Sequence, residues 1–307
     1  MVNRRQALIQ LGVLAGGSLF LPGTAFSQIN NTPKKFRYCL NTSTISGCGR
    51  FNVVDYINIA AKAGYDAVEL WVGDVKEYQK ANGTLDPIKD AIRKNSVSVE
   101  NAIGFAPWLS GQNGLEQMKT DMKLMAEIEC KRIAAPPVGC ESEVLDLFKT
   151  GEQYKKLLDI GRETGVMPQL EFWGASDLFW HLGQAVMVTS VAGDKDARIL
   201  PDIFHMFKGG SDFNSLNMIN GDLIDVFHLN DYDVTAPKAQ QTDADRIYPG
   251  DGGAPIGLVI NYLNNCVGEK VLSLELFNKN YWENDALELA KTGLAKMKDI
   301  VEKSLAL

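Results

Sequence analysis

From residue 36 onward the chain alternates short apolar or β-branched runs with longer stretches of helical period. Runs at 36–44, 66–72, 97–105, 132–138, 167–172, 197–203, 225–231 and 270–277 read as strands. Between them lie "NVVDYINIAAKAG", "TLDPIKDAIRKN", "GLEQMKTDMKLMAEIE" and "SEVLDLFKTGEQYKKLLDIGRETG", and "NDALELAKTGLAKMKDIVEKSLAL" closes the chain. Several of these stretches end in glycine, the residue that most easily takes the left-handed conformation at a helix C-terminus. Eight strand–helix units over about 270 residues predict a single-domain α/β fold, a (β/α)8 TIM barrel, over residues 36–307. An open doubly wound sheet is the alternative. It is weakened because "NTSTISGCGR" follows the first strand where a dinucleotide fold would carry G-x-G-x-x-G.

The first 28 residues break this rhythm. A short basic start, "MVNRRQ", leads into the apolar "ALIQLGVLAGGSLFLPG" and then the small residues of "TAFSQ". That order predicts a signal peptide over residues 1–28, followed by a polar linker over 29–35. The segment is too short and too rich in glycine to read as a membrane span. Adjacent Arg4 and Arg5 resemble a twin-arginine signal, which exports proteins already folded; a general secretory signal with two chance arginines is the other reading. Export to the periplasm or beyond is therefore expected, with no membrane association once the signal is removed.

A net charge of −7 and a pI near 5.1 give no basic face to a phosphate backbone, so a nucleic-acid partner is not expected. The five cysteines are scattered, odd in number and free of any C-x-x-C pair, which argues against a disulfide framework and a thiolate metal site. The composition leaves a homo-oligomer open.

In a barrel of this type the chemistry sits where the strands end. The fifth to eighth strands end in "QLEFW" with Glu171, "LPDIFH" with Asp202, "VFHLND" with His228 and "SLELFN" with Glu275. Any one of these acids could be a helix cap or an ion-pair partner. Four on consecutive strands point to a shared cation, because a buried carboxylate is costly unless something positive compensates it. Three carboxylates and an imidazole suit one divalent metal ion of the Mn, Mg, Co or Zn kind. His205, just past Asp202, is placed to bind a substrate hydroxyl, whereas His181 in "DLFWHLGQ" reads as structural. Glu69 ends the second strand, and Trp71, Trp108 and Trp173 lie at or just past strand ends, where aromatic faces suit a sugar. The long "YDVTAPKAQQTDADRIYPGDGGAPIG" after the seventh strand carries Arg246 and can fold back over the site.

These residues together resemble the xylose isomerase-like sugar isomerase/epimerase superfamily of barrels. The resemblance spans roughly residues 36–303 and rests on Glu171 in "LEFW", Asp202 and His205 as D-x-x-H, His228 and Asp231 in "FHLND", Arg246 with "YPGDGG", and Glu275 in "LELF". It implies one divalent metal held by Glu171, Asp202, His228 and Glu275, with Glu171 and Glu275 also acting as the acid/base pair. His205, Arg246, Glu69, Trp173 and Asp231 would contact a small carbohydrate. The implied reaction is isomerisation or epimerisation of a free sugar or keto-sugar through an enediolate. A lyase or hydratase acting on a 3-keto-glycoside would use the same residues, and a non-catalytic sugar-binding barrel is a third reading.

Overall fold

The computed structural model describes residues 35–140 and 142–306. The expected signal peptide, and all of the expected linker except Lys35, lie outside the described residues. No helix among the described residues is long and apolar enough to cross a membrane.

Eight parallel strands form where the hydrophobic runs predicted them: β1 Phe36–Asn41, β2 Ala67–Trp71, β3 Ser98–Ile103, β4 Arg132–Ala135, β5 Met167–Glu171, β6 Ile199–Leu200, β7 Val226–Leu229 and β8 Lys270–Leu274. One hydrogen-bonded run has the order β3-β2-β1-β8-β7 and the other β4-β5-β6. Contacts between β3 and β4 and between β6 and β7 join the runs into a barrel, with bridges Ile199↔Ile224 and Asp202↔His228 at the second seam. The barrel is lined by Cys39, Ala67, Ile103, Ala134, Leu200, Val226 and Val271. A larger apolar layer packs between the strands and the surrounding helices. At the N-terminal ends of the strands, Arg132 and Arg198 both pair with Asp225, and Arg132 also pairs with Glu100.

The strands stop earlier than the hydrophobic runs suggest, and after β6 the physical cause is local capping. Asp202 takes an extended conformation and accepts from the His205 amide at 2.8 Å, so the chain turns directly from β6 into the helix Ile203–Gly209. The helix expected from Ser142 starts instead at Leu147, where the Asp146 side chain caps the amides of Phe148 and Lys149. All five cysteines are free.

Candidate metal centre and active site

His228 sits in the middle of the C-terminal end of the barrel and is fully buried. Its Nε2 lies 3.0 Å from Glu69 Oε1. A carboxylate can only accept there, so Nε2 carries the proton in the neutral ring and Nδ1 is left as a bare acceptor. That Nδ1 is buried without a hydrogen-bond partner, 3.1 Å from Glu275 Oε2 and 3.6 Å from Asp202 Oδ2. Asp202, His228 and Glu275 each offer a ligand atom, and these atoms lie within 4.8 Å of one another. Burial disfavours a charged imidazole, but Glu275, Glu69 and Asp202 outweigh it and push the His228 pKa well above its ordinary value. The surroundings thus call for positive charge at Nδ1. A divalent ion satisfies that demand, and the donor set of two carboxylates and one imidazole fits it.

Glu171 ends β5, is buried and faces the same cavity, but it stands outside this three-residue cluster. No hydrogen bond or ion pair joins its carboxylate to another described residue. Burial first, and then the charges of Glu275, Glu69 and Asp202 against the opposing pull of His228, push its pKa up to about 8.

Arg246 returns from the long loop and is itself buried. Its Nη1 donates to Asp202 Oδ2 at 2.9 Å and Glu275 Oε2 at 2.6 Å, while its Nη2 lies 3.2 Å from His205 Nε2. Asp243 holds the other side of the guanidinium through Nε and Nη2 at 3.1 and 2.6 Å. The rings of Phe204 and Phe277 flank it, each 5.3 Å from the guanidinium carbon. His205 lines the cavity beside it. Burial lowers the pKa of His205, with Asp202 opposing and Arg246 adding to the effect, so its ring stays neutral.

Two residues expected at the substrate are used elsewhere. Glu69 was read as a substrate contact from its place near the end of β2, yet it is fully buried and pairs in register with Asn41 and Asn101. Asn41, Asn101, Ser273 and His228 take up its two oxygens, so it orients the imidazole from below. Asp231 accepts from the amides of Tyr232, Gly250, Gly252 and Ala254 at 2.8–3.0 Å, which clamps the base of the loop that carries Arg246. A Cβ on Gly252 would collide with Tyr232 O and the Asp231 carboxylate, so this close approach requires glycine. Trp173 and Trp71 do line the cavity, but Trp108 packs in the core against Tyr154 and donates to Pro136 O. His181 caps the helix Leu182–Ala192 by accepting from the Gly183 amide.

Neutral polar residues that the sequence reading passed over complete the site. Asn41 Nδ2 donates to both Glu69 and Glu275 at 2.9 Å, and Asn230 Nδ2 donates to Asp202 at 2.8 Å while its oxygen accepts from the Phe204 amide. The cavity above them measures about 540 Å³ and is lined by Glu171, His205, Arg246 and Glu275 together with aromatic side chains.

Xylose isomerase-like TIM barrels are matched as a family over residues 57–300. The chain belongs to that family. It is 26% identical over 278 residues to an inosose isomerase of Bacillus velezensis, covering 87% of this chain and 98% of that protein. The solved structure of the IOLI protein with a bound zinc atom superposes with a TM-score of 0.78 at 23% identity, covering 88% of this chain and all (100%) of that one. A solved L-ribulose 3-epimerase gives a TM-score of 0.69 at 15% identity, over 88% and 96% of the two chains. These likenesses support an enzyme of the sugar isomerase or epimerase type and, with the Asp202–His228–Glu275 cluster, a divalent metal.

The position of Glu69 makes a prediction. Glu69→Gln should lower metal affinity by about 10–100-fold, the usual effect of losing the carboxylate behind a ligating histidine. Competition with a fluorescent chelator measures it. An affinity within twofold of the parent would show that Glu69 does not tune the imidazole.

Proposed function

We propose that the protein is a divalent-metal-dependent isomerase or epimerase of a keto-sugar or cyclic polyol ketone, acting through an enediolate. The observation that carries this reading is the buried Nδ1 of His228 held between Asp202 and Glu275, with the carboxylate of Glu171 in the same cavity. The inosose isomerases among the relatives add the substrate class, a carbonyl next to carbons that bear hydroxyls.

A proton on carbon next to a carbonyl is weakly acidic, so the site must lower the cost of the enediolate and supply a base. A divalent ion held by Asp202, His228 and Glu275, with Glu171 as a fourth ligand, would supply Lewis-acid stabilisation of the negative charge. Glu171 takes the carbon-bound proton. Its carboxylate is buried at the end of β5, faces the cavity and is joined to no other described side chain, which leaves it available to accept that proton. Glu275, which would take up a proton from solvent before each turnover, returns one to the substrate carbon, and Glu171 gives its proton back to solvent; Asn41 and Arg246 hold the Glu275 side chain in position. Neutral His205 and the Arg246 guanidinium steady the substrate oxygens. With a leaving group one carbon further on, the same first step would lead to elimination, and product analysis separates the two outcomes. The test is exchange of the substrate's carbon-bound proton in deuterated water, with inosose as substrate and Mn, Co or Zn supplied in turn. No exchange with any of them would refute the reading.

We propose further that the protein is exported folded by the twin-arginine route, on the strength of the basic, apolar and small-residue order of residues 1–28. Arg4→Lys with Arg5→Lys keeps the charge and removes the guanidinium pair. The double variant should leave the protein folded in the cytoplasm, as fractionation would show. An unchanged periplasmic yield would assign it to the general secretory route.

A further inference from the structure

Arg246 and the candidate metal cluster draw on the same atoms. Its Nη1 donates to Asp202 Oδ2 at 2.9 Å and to Glu275 Oε2 at 2.6 Å. These are the two oxygens that stand 3.6 and 3.1 Å from His228 Nδ1. A divalent ion held by Asp202, His228 and Glu275 therefore has a guanidinium as its neighbour, a charge that no change of pH removes. Two cations served by the same carboxylates repel each other, and burial leaves little water to screen them.

The cluster does not need Arg246 for its shape. Asp202 Oδ1 accepts from the His205 amide and Oδ2 from Asn230 Nδ2, both at 2.8 Å. Glu275 Oε1 accepts from Asn41 Nδ2 at 2.9 Å. Neutral donors thus place both carboxylates, and what the guanidinium adds is charge. The loop does not need the guanidinium either. Asp231 clamps its base, Lys208 Nζ donates to the carbonyls of Lys238, Ala239 and Gln241 at 2.6–3.0 Å, and Asn278 Nδ2 donates to Arg246 O at 3.0 Å. On the other side of the guanidinium, half-exposed Asp243 takes Nε and Nη2. The one cationic side chain is divided between the cluster and the loop.

We propose that Arg246 is a tethered competitor of the divalent ion for Asp202 and Glu275, and that Asp243 weakens the competition by sharing the guanidinium's charge. The pair sets how tightly the ion is held, so that occupancy of the site follows the free metal concentration. This rests on the metal reading above, but it concerns the strength of binding and not the identity of the ligands.

The test is competition with a fluorescent chelator for Mn on the full chain, with thermal melts of the metal-free protein alongside. Arg246→Met keeps the bulk and removes the charge. It should bind Mn about tenfold more tightly than the parent, even though its metal-free form melts at a lower temperature with two carboxylates left uncompensated. A merely structural Arg246 would lower affinity and melting temperature together. Asp243→Asn should bind Mn about threefold less tightly than the parent, because the guanidinium charge then falls on the cluster alone. Added to Arg246→Met, the same change should alter affinity by less than about twofold, since Asp243 acts through Arg246. An affinity unchanged or weaker in Arg246→Met, or an Asp243→Asn effect that persists in full in the double variant, would overturn the competition and leave the metal reading standing. If metal-free Arg246→Met does not fold, Asp243→Asn decides alone, and an affinity equal to or above the parent's overturns the competition. No Mn bound by the parent or by any variant would remove the metal reading, and this inference with it.

Discussion

Glu171→Gln is expected to lower turnover by about two to four orders of magnitude, the range typical for loss of a positioned base. Metal affinity should fall only moderately, because a carboxamide oxygen still coordinates and because Asp202, His228 and Glu275 form their cluster without it. Glu275→Gln should behave differently. Glu275 pairs with Arg246 at 2.6 Å, accepts from Asn41 at 2.9 Å and lies 3.1 Å from His228 Nδ1, so its replacement disturbs the metal cluster as well as the proton transfer. Steady-state rates at saturating Mn, together with carbon-bound proton exchange, separate the two effects. A Glu171→Gln variant that holds metal and exchanges at the parent rate would remove Glu171 from the role of base.

The barrel was legible because its strands are buried on both faces and appear as uninterrupted apolar runs. The ligand candidates were legible for the complementary reason: a charge at the end of such a run needs compensation. Glu69 met that description too, and only register distinguishes it. Its pairing with Asn41 and Asn101 sets it beneath His228, a depth that no pattern along a single strand reveals. Asp231 lies one residue past Asn230, which faces Asp202, and the chain turns there, so its carboxylate meets loop amides and not the cavity. Asn41, Asn101 and Ser273 carry no charge, so in strands of mostly apolar residues they give no signal, yet they position every oxygen of Glu69. Asp243 and Phe277 lie close in sequence to Arg246 and Glu275, but nothing in the chain's pattern marks them. Their role depends on where the loop brings Arg246.

His228→Ala should abolish tight metal binding and lose activity as a consequence, since it removes the only imidazole in the cluster and leaves Asp202 and Glu275 with Arg246 as their neutralising partner. Asp202→Asn should be milder, recovering part of its activity at high metal concentration, because Asn230 can still hold the side chain. The parent protein's affinity should itself depend on pH. Without metal, its neighbours hold the His228 pKa well above the ordinary value, and burial and like charge hold Glu171 up to about 8. Both groups must lose their protons to coordinate, so metal binding near neutral pH should release protons. The sign follows: protons compete with the ion, so affinity rises as pH increases toward 8 and falls in acid. Isothermal titration in two buffers of different ionisation enthalpy counts the protons released. A heat that is independent of buffer at pH 7, with affinity flat between pH 6 and 8, would mean that the ion binds without displacing protons from His228 and Glu171, and would overturn the raised pKa of both groups.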